Sequence, residues 1–122
     1  MSFRNDYARG QRDSRPWGTW EVLDAGPGWC VKRITVNPGG ILSLQKHQHR
    51  AEVWTITAGT ARVTQDGRVF ELAAGNTTQH AIGVIHRVEN PGAEPMVFVE
   101  VQLGAELRED DIERFEDRYG RG

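Results

Sequence analysis

Cysteine is almost missing from this 122-residue chain, Cys30 being the only one. No disulfide can close within it, and a cluster of thiolates around a metal is excluded. Lysine is nearly as scarce: Lys32 and Lys46 are the only two among 15 basic residues, against 17 acids. The formal net charge of -2 leaves no basic field for a polyanion, so no nucleic-acid partner is expected. Long apolar runs are absent as well. Nothing approaches the roughly 20 residues of a membrane span, and the start, MSFRNDYARG, holds no apolar stretch. No membrane partner is expected, and the expected compartment is the cytoplasm.

What is present suits one folded domain. Apolar residues make up 38% and charged ones 26%, an ordinary globular balance, and this length can bury one core but not two. Residues 1–14 are polar, arginine-rich and without hydrophobic period, and are expected to form a flexible or loosely docked N-terminal arm ahead of a single domain over 15–122. From there the chain reads as short strands punctuated by Gly, Pro, Asn and Asp, including GTWEVL (18–23), WCVKRITV (29–36), ILSLQKHQ (41–48), EVWTITA (52–58), VIHRVEN (84–90) and MVFVEVQ (96–102). Asp66-Gly67 between TARVTQ and RVFEL is the strongest local signal, a two-residue hairpin turn. Many short strands at this spacing predict a β-sandwich or barrel. Near the end, Ile112, Phe115 and Tyr119 recur at helical intervals, with acids before them and Gly120 after, which predicts a short C-terminal helix.

Residues 42–52, LSLQKHQHRAE, gather a glutamine, two histidines and a glutamate between apolar flanks. Extended backbone puts Gln45, His47 and His49 on one face. Two histidines on a strand are by themselves more often polar surface than ligands, so a metal site needs further donors at defined spacing.

Those donors are present. The chain reads Gly39-x5-Gln45-x-His47-x4-Glu52-x6-Gly59 and then Gly75-x5-Ala81-x-Gly83-x2-His86-x3-Asn90. This pattern resembles the two motifs of cupins, with Gln45 in place of a histidine and Ala81 in place of a proline. RPWG (15–18), VKRITVNPGG (31–40), GTARVT (59–64), HRVENPG (86–92), EVQLG (100–104) and EDDIERFEDRYGR (109–121) narrow the likeness. Together they resemble the cupin domain of type II mannose-6-phosphate isomerases, which is commonly fused behind a mannose-1-phosphate guanylyltransferase. The nucleotidyltransferase half is not represented. The chain departs from the family's usual pattern at Gln48 and Val53, where histidines are usual, and at Glu106, where tyrosine is.

The resemblance implies an all-β fold, a double-stranded β-helix or cupin jelly-roll barrel. It also implies an aldose–ketose isomerase that interconverts mannose 6-phosphate and fructose 6-phosphate through an enediol. Gln45, His47, Glu52 and His86 would hold a divalent metal, zinc first, with manganese, iron and nickel also suited to the N/O donors; His49 is the alternative to Gln45. His49 and Glu100 are candidates for proton transfer. Lys32, Arg33, Arg50, Arg87, Arg15 and Gln102 are candidates for holding the sugar phosphate, although strand alternation forbids Lys32 and Arg33 from both pointing inward. His80 lacks any motif and is read as a loop histidine. Two other functions fit the same residues: a non-catalytic cupin that binds a sugar or sugar phosphate, and a small metal oxygenase. Unpaired edge strands favour a homodimer.

Overall fold

The computed structural model describes residues 2–119, and every regular element among them is a strand. The larger sheet runs β2-β3-β4-β11-β6-β9, from Arg12–Arg15 (β2), Gly18–Gly26 (β3), Trp29–Val36 (β4), Met96–Leu103 (β11), Ala51–Ala58 (β6) and Thr77–His80 (β9). The smaller runs β13-β5-β10-β7-β8, from Glu113–Glu116 (β13), Leu44–Lys46 (β5), His86–Glu89 (β10), Thr60–Gln65 (β7) and Arg68–Ala73 (β8). Arg4–Asn5 (β1) lies parallel to Glu106–Leu107 (β12). From β4 to β11 the chain crosses between the sheets at nearly every step, the winding of the expected double-stranded β-helix. No helix among the described residues is long and apolar enough to cross a membrane.

The two-residue side-chain period builds the core and the site from the same strands. Along β11, Met96, Phe98, Glu100 and Gln102 point inward and are buried, while Val97, Val99 and Val101 are half-buried on the outer face. Pairing sets Phe98 beside Ile34 of β4 and Ile56 of β6, Glu100 beside Lys32 and Trp54, and Gln102 beside Cys30 and Glu52. One end of the interior is therefore an apolar layer, closed from the other sheet by Ala61, Val63 and Val88. Burying Phe98 and Ile56 contributes about 1.5–3 kcal/mol each. The other end of the same strands is polar, and this is where the site lies.

The β7–β8 hairpin forms as its sequence predicts. Asp66 and Gly67 carry φ of 46° and 84°, the positive pair that this turn requires.

Three expectations are corrected. Residues 2–14 are not a loose arm: Tyr7 is buried, and the Asn5 amide donates to the carbonyls of Gly26 and Trp29 at 2.8 and 3.0 Å. Among the described residues the C-terminal helix is absent, because Glu113–Glu116 forms β13 on the edge of β5, and Gly120 of that expectation lies outside the described residues. An isolated helix of this length is marginal in water, whereas the edge of β5 offers hydrogen bonds already aligned. Finally, β9 had no place in the strand reading; its TTQH lacks a hydrophobic alternation but completes the edge beside β6.

Candidate metal centre

Three buried side chains converge between the sheets at the polar end. Glu52 enters from β6, His86 from β10, and His47 from the bend that follows β5. One ligand atom from each lies within 4.8 Å of the others. His47 Nε2 is 3.2 Å from Glu52 Oε2, and His86 Nε2 is 3.5 Å from Glu52 Oε1.

The far side of each imidazole is already committed. His47 Nδ1–H donates to the Asp111 carbonyl at 2.7 Å, and His86 Nδ1–H donates to the Val84 carbonyl at 3.0 Å. A carbonyl only accepts, so in the neutral rings both Nε2 lone pairs face Glu52, the arrangement that holds histidine ligands around metals. His86 Nε2 is buried without a hydrogen-bond partner. Such an orphaned acceptor beside a carboxylate calls for a cation, and the donor set therefore fits a divalent metal. Gln45 is the cross-strand partner of His86 and lines the cavity that His47 and Glu52 also line.

Electrostatics agree with that geometry. Burial pushes Glu52 up, but the Arg50 guanidinium, 2.9 Å away, and the two histidines hold it well below the usual carboxylate range. Burial pushes His47 down to about 4, so it is neutral and ready to ligate. At His86 burial is outweighed by Glu52, which draws positive charge to Nε2. Glu100 is raised to about 7 by burial and then by the charge of Glu52. Trp54 Nε1–H is shared between the two carboxylates, at 3.0 Å from Glu52 and 3.1 Å from Glu100.

The other expected residues divide cleanly. Lys32 is buried on the cavity wall, its ammonium 4.0 Å from the Tyr7 ring centroid and 4.5 Å from that of Trp20, and burial lowers its pKa. Arg15 lines the mouth while paired to Asp13 at 2.6 Å, and Arg50 lines the floor. Gln102 is fully buried behind Glu100, to which it donates at 2.9 Å. Arg33 is a correction: it faces outward and pairs with Glu21. So is Arg87, whose guanidinium binds the Leu42 carbonyl and Glu116 outside the cavity. His49 is the third correction, 43% exposed and 3.6 Å from Glu106. Strand geometry stops at Lys46 and the chain bends over 47–50, so alternation no longer carries His49 to the face of Gln45.

The sequence reading missed two contributors. His80 is not a loop residue: it is buried at the end of β9, opposite Glu52, with its ring stacked 4.3 Å from His86. The Gln65 amide sits 3.0 Å from its Nδ1, and burial pushes its pKa down to about 3. Trp54 also belongs to the site rather than to the core alone. Only the inward alternation of EVWTI, with Glu52 and Trp54 on one face, could have signalled it.

Comparison with known proteins agrees with the fold. Residues 3–117 match the family described as mannose-6-phosphate isomerase C-terminal. The alginate biosynthesis protein AlgA of Pseudomonas syringae pv. tomato is 53% identical over 107 residues, covering 88% of this chain and 22% of that protein. The mannose-1-phosphate guanylyltransferase ManC of Salmonella typhimurium is 52% identical with the same coverage. The chain thus spans under a quarter of the length of these relatives. Among solved structures, a double-stranded β-helix protein from Klebsiella pneumoniae aligns with a TM-score of 0.69 and 26% identity, covering 80% of this chain and 78% of that one. Lactobacillus farciminis oxalate decarboxylase shares the fold, with a TM-score of 0.75 at 21% identity over 86% of this chain and 33% of its own. With a match over almost its whole length, this cupin chain belongs to the mannose-6-phosphate isomerase C-terminal family.

Proposed function

We propose that the domain is a metal-dependent aldose–ketose isomerase that interconverts mannose 6-phosphate and fructose 6-phosphate. The observation that carries this reading is the buried His47–Glu52–His86 set, two of whose members, His47 and Glu52, line one cavity with the cations Lys32 and Arg15 and with the carboxyl of Glu100. Gln45, His47, Glu52 and His86 would hold the metal, zinc first. When bound, it would polarise the sugar carbonyl and stabilise the oxyanion that develops as the proton leaves.

The remaining work falls to the chain itself. Glu100 moves the proton between C1 and C2 by way of the enediol, and a carboxyl at about 7 is matched to neutral operation. Lys32 and Arg15, both lying over the Trp20 ring, hold the phosphate. Arg50 keeps Glu52 ionised. Trp17, Leu42 and Phe98 line the wall and exclude water from the reacting carbons.

One observation favours a second reading, a module that binds a sugar phosphate without turning it over. His49 lies outside the cavity, so Glu100 lacks the second proton-transfer group that the sequence offered. A coupled assay for fructose 6-phosphate formed from mannose 6-phosphate separates the two, with metal content measured on the same sample. Turnover by the wild type that is lost in His86→Ala supports the isomerase. Metal retained without turnover sinks it in favour of the binding module.

A further inference from the structure

We infer that Asp111 is a positioning residue of the metal centre, through which the C-terminal segment sets the orientation of His47. The inference rests on the metal reading above. Asp111 lies 64 positions after His47 in sequence and is buried against it. It makes three contacts with one short stretch. Its carbonyl accepts His47 Nδ1–H at 2.7 Å, while its carboxylate oxygens accept the backbone N–H of Gln48 and of His49, each at 2.8 Å.

These contacts act as a unit. The two carboxylate bonds clamp the bend directly after His47, and so fix where the Asp111 carbonyl lies relative to the imidazole. That carbonyl in turn fixes the tautomer and directs the Nε2 lone pair at Glu52. Backbone alone cannot do this, since any residue at 111 has a carbonyl but the two N–H groups are each taken by a separate oxygen of the Asp111 carboxylate. A simple loop cap would give stability and nothing more. Here the capped bend carries a ligand, and the capping residue also holds that ligand's ring.

The test uses the full chain, stripped of metal and titrated with cobalt(II) while its visible spectrum is followed. Asp111→Ala is expected to weaken cobalt affinity about 10- to 100-fold and to alter the spectrum. Asp111→Asn, which keeps one acceptor and nearly the same shape, should fall between and decides the matter if the alanine variant does not fold. Tyr119→Phe removes the acceptor for the Ile41 N–H farther along the same segment and should bind cobalt as the wild type does. Wild-type affinity and spectrum in the foldable Asp111 variants, whatever their melting temperatures, would overturn the inference. Equal weakening in Tyr119→Phe would also overturn it, by tracing the effect to general loosening. A wild type that binds no cobalt fails at the metal reading itself, which separates the two failures.

Discussion

Trp54 has a single indole N–H and divides it between two buried carboxylates, Glu52 and Glu100. The two carboxyls have opposite environments. Glu52 has Arg50 beside it and stays ionised, whereas Glu100 feels burial first and then the charge of Glu52, which together raise it to about 7. A proton held more tightly by the folded chain than by the unfolded one stabilises fully below the unfolded value. That stability is lost as pH rises through the folded value. In metal-free protein the Glu100 proton therefore contributes stability that is lost between about pH 5 and about pH 8, against the opposite trend of His47 and His80, whose lowered values add stability as pH rises toward that of a free imidazole, and Glu100→Gln should remove the Glu100 part of the slope. Urea midpoints across the range, with chelator present, would show it; an unchanged slope in the variant would remove Glu100 as the cause. At this scale His47, Glu52 and His86 were legible because their spacing is a motif. His49 was misplaced because the alternation rule was carried past the end of a strand.

Among the elements, those with local signals read true. The Asp66-Gly67 turn is written in two residues, and the outer strands of its hairpin show their alternation. Gly67 has φ of 84° with open space around it, so a methyl there meets no neighbour and the cost is backbone alone. Gly67→Ala should destabilise by about 1–2 kcal/mol in urea or thermal unfolding while leaving cobalt affinity unchanged. A loss of affinity would mean that the hairpin, which donates Gln65 to His80, reaches the site after all. β13 and β9 were not legible, for a physical reason: each exists because a distant edge accepts it. The helical spacing of Ile112, Phe115 and Tyr119 is real but was overruled by β5. TTQH has two strand-favouring threonines but no apolar alternation to announce them, and takes its place from β6.

For the whole molecule, the apolar layer around Phe98 and the charged groups are carried by the same strands β4, β6 and β11, with a second apolar cluster of Tyr7, Val22, Cys30 and Leu107 beside them, so binding at the charged groups is linked to folding of all of it. A metal that binds only the folded chain adds about 2.7 kcal/mol at a free concentration of 100 Kd. Thermal melts with zinc and with excess chelator should differ accordingly, and the difference should vanish in His86→Ala. Identical melts for the wild type would mean that the convergent donors bind nothing. A sandwich or barrel was legible from the strand count, and the winding between sheets only from the resemblance of the motifs to those of cupins. The packing of residues 2–14 was not, since Tyr7 and Asn5 show no period and gain their burial from β3, β4 and β12.

Asp111 against His47 has a consequence in time. A chain leaving the ribosome presents His47 and Glu52 early, His86 much later and the residue that steadies His47 later still. The strands that carry these groups pair almost wholly with partners distant in sequence, a topology that folds slowly. The nascent chain would thus hold half a chelate in the open until His86 emerges, and would steady His47 only once Asp111 has followed.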